Sequence, residues 1–149
     1  EERFGWPYVQ WTVPHSDEEE LAGIEWERNE RGGMPMSLVH RFALIDDEVS
    51  QHTHQMLGWP TVVQNPMRLQ CQLVSNGLYC GDSSGYNSAA AETLRPGLYD
   101  WVLLLQLNSW GEYDNGGRWG SDGMLYFWIR RDDLRAARFD RVWMILRSP

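Results

Sequence analysis

Trp101-Val-Leu-Leu-Leu-Gln-Leu107, Met124-Leu-Tyr-Phe-Trp-Ile129 and Val142-Trp-Met-Ile-Leu146 are the stretches whose reading decides the fold. Each has the length of a β-strand and is rich in branched or aromatic residues. None alternates cleanly between apolar and polar. A half-exposed strand alternates because successive side chains point to opposite faces. Runs that are apolar throughout therefore predict central strands covered on both faces. The first two are expected to pair antiparallel, because the segment between them, Asn108 to Gly123, is punctuated by glycines and carries no helical pattern. After the second run, Asp132-Asp133-Leu-Arg-Ala-Ala-Arg138 puts acids first and arginine last, as a helix dipole favours, and predicts a helical turn that crosses to the third.

Upstream of these runs, Ser88 to Leu94 reads as a short Ala-rich helix that stops before Pro96-Gly97, and Gly81-Asp-Ser-Ser-Gly-Tyr86 as a loop. Asn65-Pro66 is a helix start, with Asn as cap and Pro in the first turn. Met67, Cys71, Val74 and Leu78 then follow helical spacing towards a left-handed stop at Asn76-Gly77. A hairpin turning at Asn76-Gly77 is the competing reading. Neither arrangement puts Cys71 directly opposite Cys80, so both are expected as free thiols.

Nearer the N-terminus, Met36 to Ile45 reads as a strand containing His40 and Arg41. Ser16-Asp-Glu-Glu-Glu20 has a capping-box start for a helix running to about Arg31. Residues 4–14, bounded by prolines, read as an edge strand or arm. The acid runs are taken as solvated turns and helix starts. The expected architecture is one α+β domain over residues 1–149, mainly antiparallel sheet with a few short helices.

Composition narrows the function classes. The formal charge is -8, which argues against a nucleic-acid surface, since phosphate binding needs clustered cations. All 13 basic residues are arginine, a bias that looks like coding preference rather than mechanism. No stretch approaches the ~18–20 apolar residues of a membrane span. Glu1-Glu-Arg-Phe is not a signal peptide. Two cysteines are too few for a disulfide scaffold, so a reducing cytoplasm is the default.

Several stretches, taken in order, carry a resemblance: His54-Gln-Met-Leu-Gly-Trp-Pro60 with Gln64, Trp101-Val-Leu-Leu-Leu-Gln106, Trp119-Gly120, Gly123-Met-Leu-Tyr-Phe-Trp-Ile129, Asp133-Leu134 and Phe139-Asp-Arg-Val-Trp143. Over roughly residues 50–147 the chain resembles the YwqG-like proteins, a bacterial domain family of unknown function. The resemblance implies a β-rich, intracellular α+β domain and no established activity, cofactor or catalytic residue. Three departures stand out. Asn108-Ser109-Trp110 occupies the place where relatives usually carry an acid–Ser–acid triplet. Ser121 follows Trp119-Gly120 where they place an acid. The Leu-Ala-Gln-Ile-like strand of their N-terminal portion is not found, which suggests a shortened form or a fragment.

His52 and His54, two apart, would share one face of a strand, a spacing that metal sites use. A third ligand could come from His40, Asp82 or Cys80, but no spacing fixes it. The favoured reading is of loop histidines, one of them bonding a backbone carbonyl near Gly58. Glu112, Asp114, Asn115 and Asp122 offer calcium-type oxygens without the EF-hand pattern, and a long hairpin loop is preferred there. Asp100, Asp114 and Asp122 are weak candidates for an acid–base pair. No nucleophile elbow, Cys–His pairing or phosphate loop is found.

The aromatics are more informative. Trp59, Trp110, Tyr113 and Trp119 lie outside the apolar runs, beside polar residues and Arg118. They are either a recognition surface or caps on the ends of the core. The expectation is a non-catalytic binding module without a cofactor. It recognises a protein or small ligand through Trp59, Trp110, Tyr113, Arg118 and Trp119, an immunity role being one form. The alternative is a metal-dependent or hydrolase-like enzyme using His52, His54 and Asp82.

Overall fold

A computed structural model describes residues 12, 14, 18, 19, 54–109, 119 and 123–148. The expected arm, N-terminal helix and strand at 36–45 lie outside the described residues, apart from Thr12, Pro14, Glu18 and Glu19, as does most of the 110–123 loop. The described sheet has four strands in chain order, every neighbouring pair antiparallel: β1 (Gln55–Met56), β2 (Trp101–Asn108), β3 (Met124–Arg130) and β4 (Trp143–Arg147). Among the described residues four α-helical pieces accompany it, α1 (Arg68–Val74), α2 (Ser83–Tyr86), α3 (Ala89–Leu94) and α4 (Arg131–Arg135), with 3-10 turns at Arg95–Asp100 and Phe139–Arg141. The fold is α+β, and the three C-terminal runs are its adjacent strands.

One face of the sheet carries the core. Trp101, Leu103, Gln106, Tyr126, Trp128 and Ile145 are all buried, and Met67 and Cys71 of the α1 region pack among them. Leu103 and Gln106 both face inward although they are three apart, which strict alternation forbids. The register shifts between Leu103 and Leu105, so Leu104 is an extra residue in β2 and resets the alternation.

The opposite face differs from the expectation. Along β2 and β3 it is half-buried apart from the fully buried Ile129, but in β4 Met144 and Leu146 are 51% and 48% exposed, and β4 is an edge of the described sheet. An unbroken apolar run does not distinguish a central strand from an edge strand whose outer face is also apolar.

The helix reading of 67–78 holds and the hairpin does not. The helix starts at Arg68 rather than at Asn65-Pro66. At its end Leu78 N donates to Leu73 O (3.1 Å) and Gly77 N to Val74 O (2.9 Å), a Schellman pair that leaves Gly77 at φ +85°. Ser88 caps α3, its hydroxyl accepting from Ala91 N. Pro96 does not halt the chain's coiling: a 3-10 stretch, Arg95–Asp100, carries it straight into β2. The presumed loop at 81–86 instead contains the single turn α2, because Asp82 accepts from Ser84 N and Ser84 Oγ and so satisfies its first donors. Cys71, buried, and Cys80, half-buried, are free thiols.

Candidate functional site

A cleft of about 410 Å³ opens where β2 begins and β3 ends. Its floor is Trp101, Leu103 and Trp128, all essentially buried. One wall is the turn Leu57-Gly58-Trp59-Pro60 with Arg68. The other is α4, through Arg131, Leu134 and Arg135.

The first wall is an unusual piece of backbone, and side chains hold it in place. Leu57 and Gly58 are both left-handed, at φ 61° and 74°. A glycine adopts this region freely, whereas a leucine is strained there. A Cβ on Gly58 would also come within 2.5 Å of Thr12 Oγ1. Gln55, buried beneath the turn, donates through Nε2 to Leu57 O (2.9 Å) and Trp59 O (2.6 Å). Thr12 Oγ1 accepts from Trp59 N at 2.8 Å. Just beyond, Gln106 Oε1 accepts from Thr61 N (2.9 Å), and Tyr126 OH donates to Thr61 O (2.6 Å). Burial pushes the Tyr126 hydroxyl up to about 12. Polar groups from both central strands and from the N-terminal part thus fix the wall to the sheet.

The arginines differ in their surroundings. Arg68 is 4% exposed and donates to Glu18 Oε2 from Nη2 (2.7 Å) and Nε (3.1 Å). Its guanidinium lies 4.9 Å from the Trp59 ring centroid and 5.9 Å from that of Tyr99. Arg135 is exposed and pairs with Asp132 at 2.9 Å. Arg131, also exposed, donates from Nε to Tyr99 O at 3.4 Å and has no carboxylate partner among the described residues.

Arg131 and Arg135 also border a second, more polar cavity of about 490 Å³. There Asp100, Asp132 and Asp133 stand against Arg130, Arg135, Arg138 and Arg141, so the cations are largely matched. The described lining of the first cleft contains arginines but no carboxylate.

Of the expected binding residues, Trp59 and Trp119 are described, and those two stand apart. Trp59, half-buried, is in the cleft wall. Trp119, also half-buried, turns onto Gly123, the residue before β3, so it lies at the other end of the sheet, a strand length of ~20 Å away. Trp110, Tyr113 and Arg118 lie outside the described residues, as do His52 and His40.

His54 is exposed, and its Nδ1 accepts from Asn108 N at 3.2 Å. It therefore bonds a strand amide rather than a carbonyl near Gly58; Gln55 takes the carbonyls there. Asp82 caps α2, where hydrogen bonds from the Ser84 hydroxyl and amide hold its carboxyl below the usual range. Among the described residues no three His, Cys, Asp or Glu side chains stand close enough to share a metal ion. Burial raises the Cys71 thiol well above its ordinary range, which fits an inert core residue.

The sequence reading missed Arg68, Trp101, Trp128, Arg131 and Arg135 as site residues. Trp101 and Trp128 read as core, which they also are. Arg135 read as part of a charged helical turn that Arg131 directly precedes, and no local signal marked that turn as facing a tryptophan floor.

A family model for a domain of unknown function (DUF1963) matches residues 7–147, and the chain belongs to that family. No curated protein matches the chain. No described helix is long and apolar enough to cross a membrane.

Proposed function

We propose that this member of the DUF1963 family is a non-catalytic binding module whose recognition site is the tryptophan–arginine cleft, with a small ligand as occupant. The observation that carries this reading is a convergence. Apart from Arg68, Arg131 and Arg135, the described cleft lining comes from the stretches by which the chain resembles the YwqG-like proteins: 54–60, 101–106, 123–129 and 133–134. Within the wider family we therefore group the chain with those proteins, in a bacterial cytoplasm.

The cleft is in the lower part of the ~300–1,000 Å³ range of small-molecule sites, which favours a small ligand over a protein segment. Strained backbone at Leu57 supports the same assignment, since unfavourable φ values gather at ligand-binding walls. The loop residues Trp110, Tyr113, Arg118 and Trp119 are a second proposed contact set, of which Trp119 is the one within the described residues.

Saturation-transfer NMR with a set of aromatic fragments, followed by amide shift mapping, tests the reading. Hits should perturb residues 57–60, 101–103 and 134. Trp59→Ala should weaken them by ~2 kcal/mol, the scale of a central aromatic contact, while the melting curve still shows a folded protein. Fragments that leave these amides unmoved, or that bind Trp59→Ala as well as wild type, would refute the cleft. For the loop, Trp110→Ala should weaken a partner without unfolding the protein. A destabilised mutant whose folded fraction binds normally would make Trp110 a core cap instead.

A further inference from the structure

The geometry points to an anionic group on the cleft's ligand, a carboxylate or phosphate attached to a flat apolar body and held by Arg131. This rests on the binding reading given above and specifies its chemistry.

The polarity of the cleft is arranged in one direction. Trp101, Leu103 and Trp128 make an apolar floor, and the polar side chains stand at its rims. Of the three arginines, Arg68 is already matched by the buried Glu18 carboxylate and stacked on aromatic rings. Arg135 is matched at the surface by Asp132. Arg131 keeps an exposed guanidinium whose described bond is a single long one to a carbonyl.

A chain carrying -8 overall would repel an anion at most points of its surface. The segment 130–141 runs the other way, with Arg130, Arg131, Arg135, Arg138 and Arg141 against Asp132, Asp133 and Asp140. Arg131 borders the first cleft, whose described lining holds no carboxylate, and also the second cavity, whose Asp100, Asp132 and Asp133 pair with Arg130, Arg135, Arg138 and Arg141 rather than with it. Arg131 and Arg135 are four apart, hence on the same side of α4, so the exchangeable Arg135–Asp132 pair can yield a second donor set beside the first. A planar guanidinium with paired donors matches carboxylate and phosphate oxygens better than neutral acceptors. Meanwhile a flat apolar group covers the tryptophan floor. Trp128 Nε1, buried, is the one side-chain polar atom of the floor without a hydrogen-bond partner among the described residues.

The test uses the full chain and three matched probes: phenylacetate, its neutral isostere phenylacetamide, and phenyl phosphate. Amide shifts give both location and Kd. Phenylacetate or phenyl phosphate should bind about tenfold more tightly than phenylacetamide, the scale of one charge-assisted contact. Their shifts should centre on residues 57–60 and 131–135. Whichever anion binds more tightly identifies the carboxylate or phosphate source. Arg131→Gln, at an exposed position, should melt like wild type and bring the anions down to the affinity of the amide.

Equal binding of all three probes in the cleft would leave the binding reading standing and overturn the anion. Anion-induced shifts confined to Arg138 and Arg141, or full anion affinity in Arg131→Gln, would also overturn it. If none of the probes moves cleft amides, the binding reading fails and the anion with it.

Discussion

Leu57 and Gly58 hold the same left-handed backbone for different reasons, and substitutions at the two positions should show it. A leucine at φ 61° pays about 1 kcal/mol against its preferred conformations, and its side chain is 46% exposed, so truncating it loses little packing. Leu57→Gly should therefore melt at or above the wild-type temperature. Gly58→Ala should melt several degrees lower, because the added methyl meets Thr12 Oγ1 as well as the unfavourable φ. Paired thermal melts decide it, and equal shifts at the two positions would contradict the geometry.

Tyr126 makes a pH prediction. Its folded value of about 12 lies above the usual ~10, so the neutral hydroxyl is favoured in the folded protein. That contribution is complete below about pH 10 and is lost as pH rises towards 12, on the order of 2 kcal/mol in all. Denaturant titrations of wild type and Tyr126→Phe should show the alkaline decline shrinking in the mutant. At this scale the sequence was only half legible. Trp59 stood out as an aromatic outside the apolar runs. Arg131 did not, because what marks it is its place on the cleft with no carboxylate paired to it among the described residues, a property of three-dimensional surroundings.

Among the elements, β4 offers the sharpest contrast between neighbours. Ile145 is 6% exposed within the core, while Leu146 is 48% exposed on the other face. Ile145→Ala should cost ~2–4 kcal/mol as a cavity in the core, and Leu146→Ala under ~1 kcal/mol. Urea midpoints on the two mutants measure this directly. The positions of the three core strands were legible because length and composition leave few alternatives for such runs. Their exposure was not, since apolarity on the second face is compatible with either a cover or an open edge. The bulge at Leu104 was hidden for a related reason: in Val102-Leu-Leu-Leu105 one extra leucine leaves no mark on the pattern. The helix at 68–74 became distinguishable from a hairpin only through its closing hydrogen bonds. The turn at Ser83–Tyr86 escaped notice because a Gly- and Ser-rich stretch favours loop readings, although Asp82 is a regular helix cap.

At the scale of the molecule, the cleft depends on parts of the chain far apart in sequence. Glu18 and Arg68 are fifty positions apart and form a buried pair, and Thr12 reaches Trp59. Glu18→Ala should destabilise the protein by ~3–5 kcal/mol, since it removes the carboxylate opposite a buried cation. Charge-preserving Glu18→Asp should cost less, and calorimetric melts would rank the two. The resemblance read from residues 50–147 reached the sheet and most of the cleft wall, whereas the family match extends back to residue 7. The difference includes Thr12 and Glu18, whose partners could not be inferred from composition or spacing. One consequence concerns dissection. If the tie between the N-terminal part and the turn at 57–60 is what shapes the cleft, the protein should behave as a complementing pair. A piece covering residues 51–149 alone should show a loosened wall, with fast amide exchange at Trp59. A separate peptide of residues 1–50 should slow that exchange when added, making reassembly of the two fragments a direct reporter of an intact cleft.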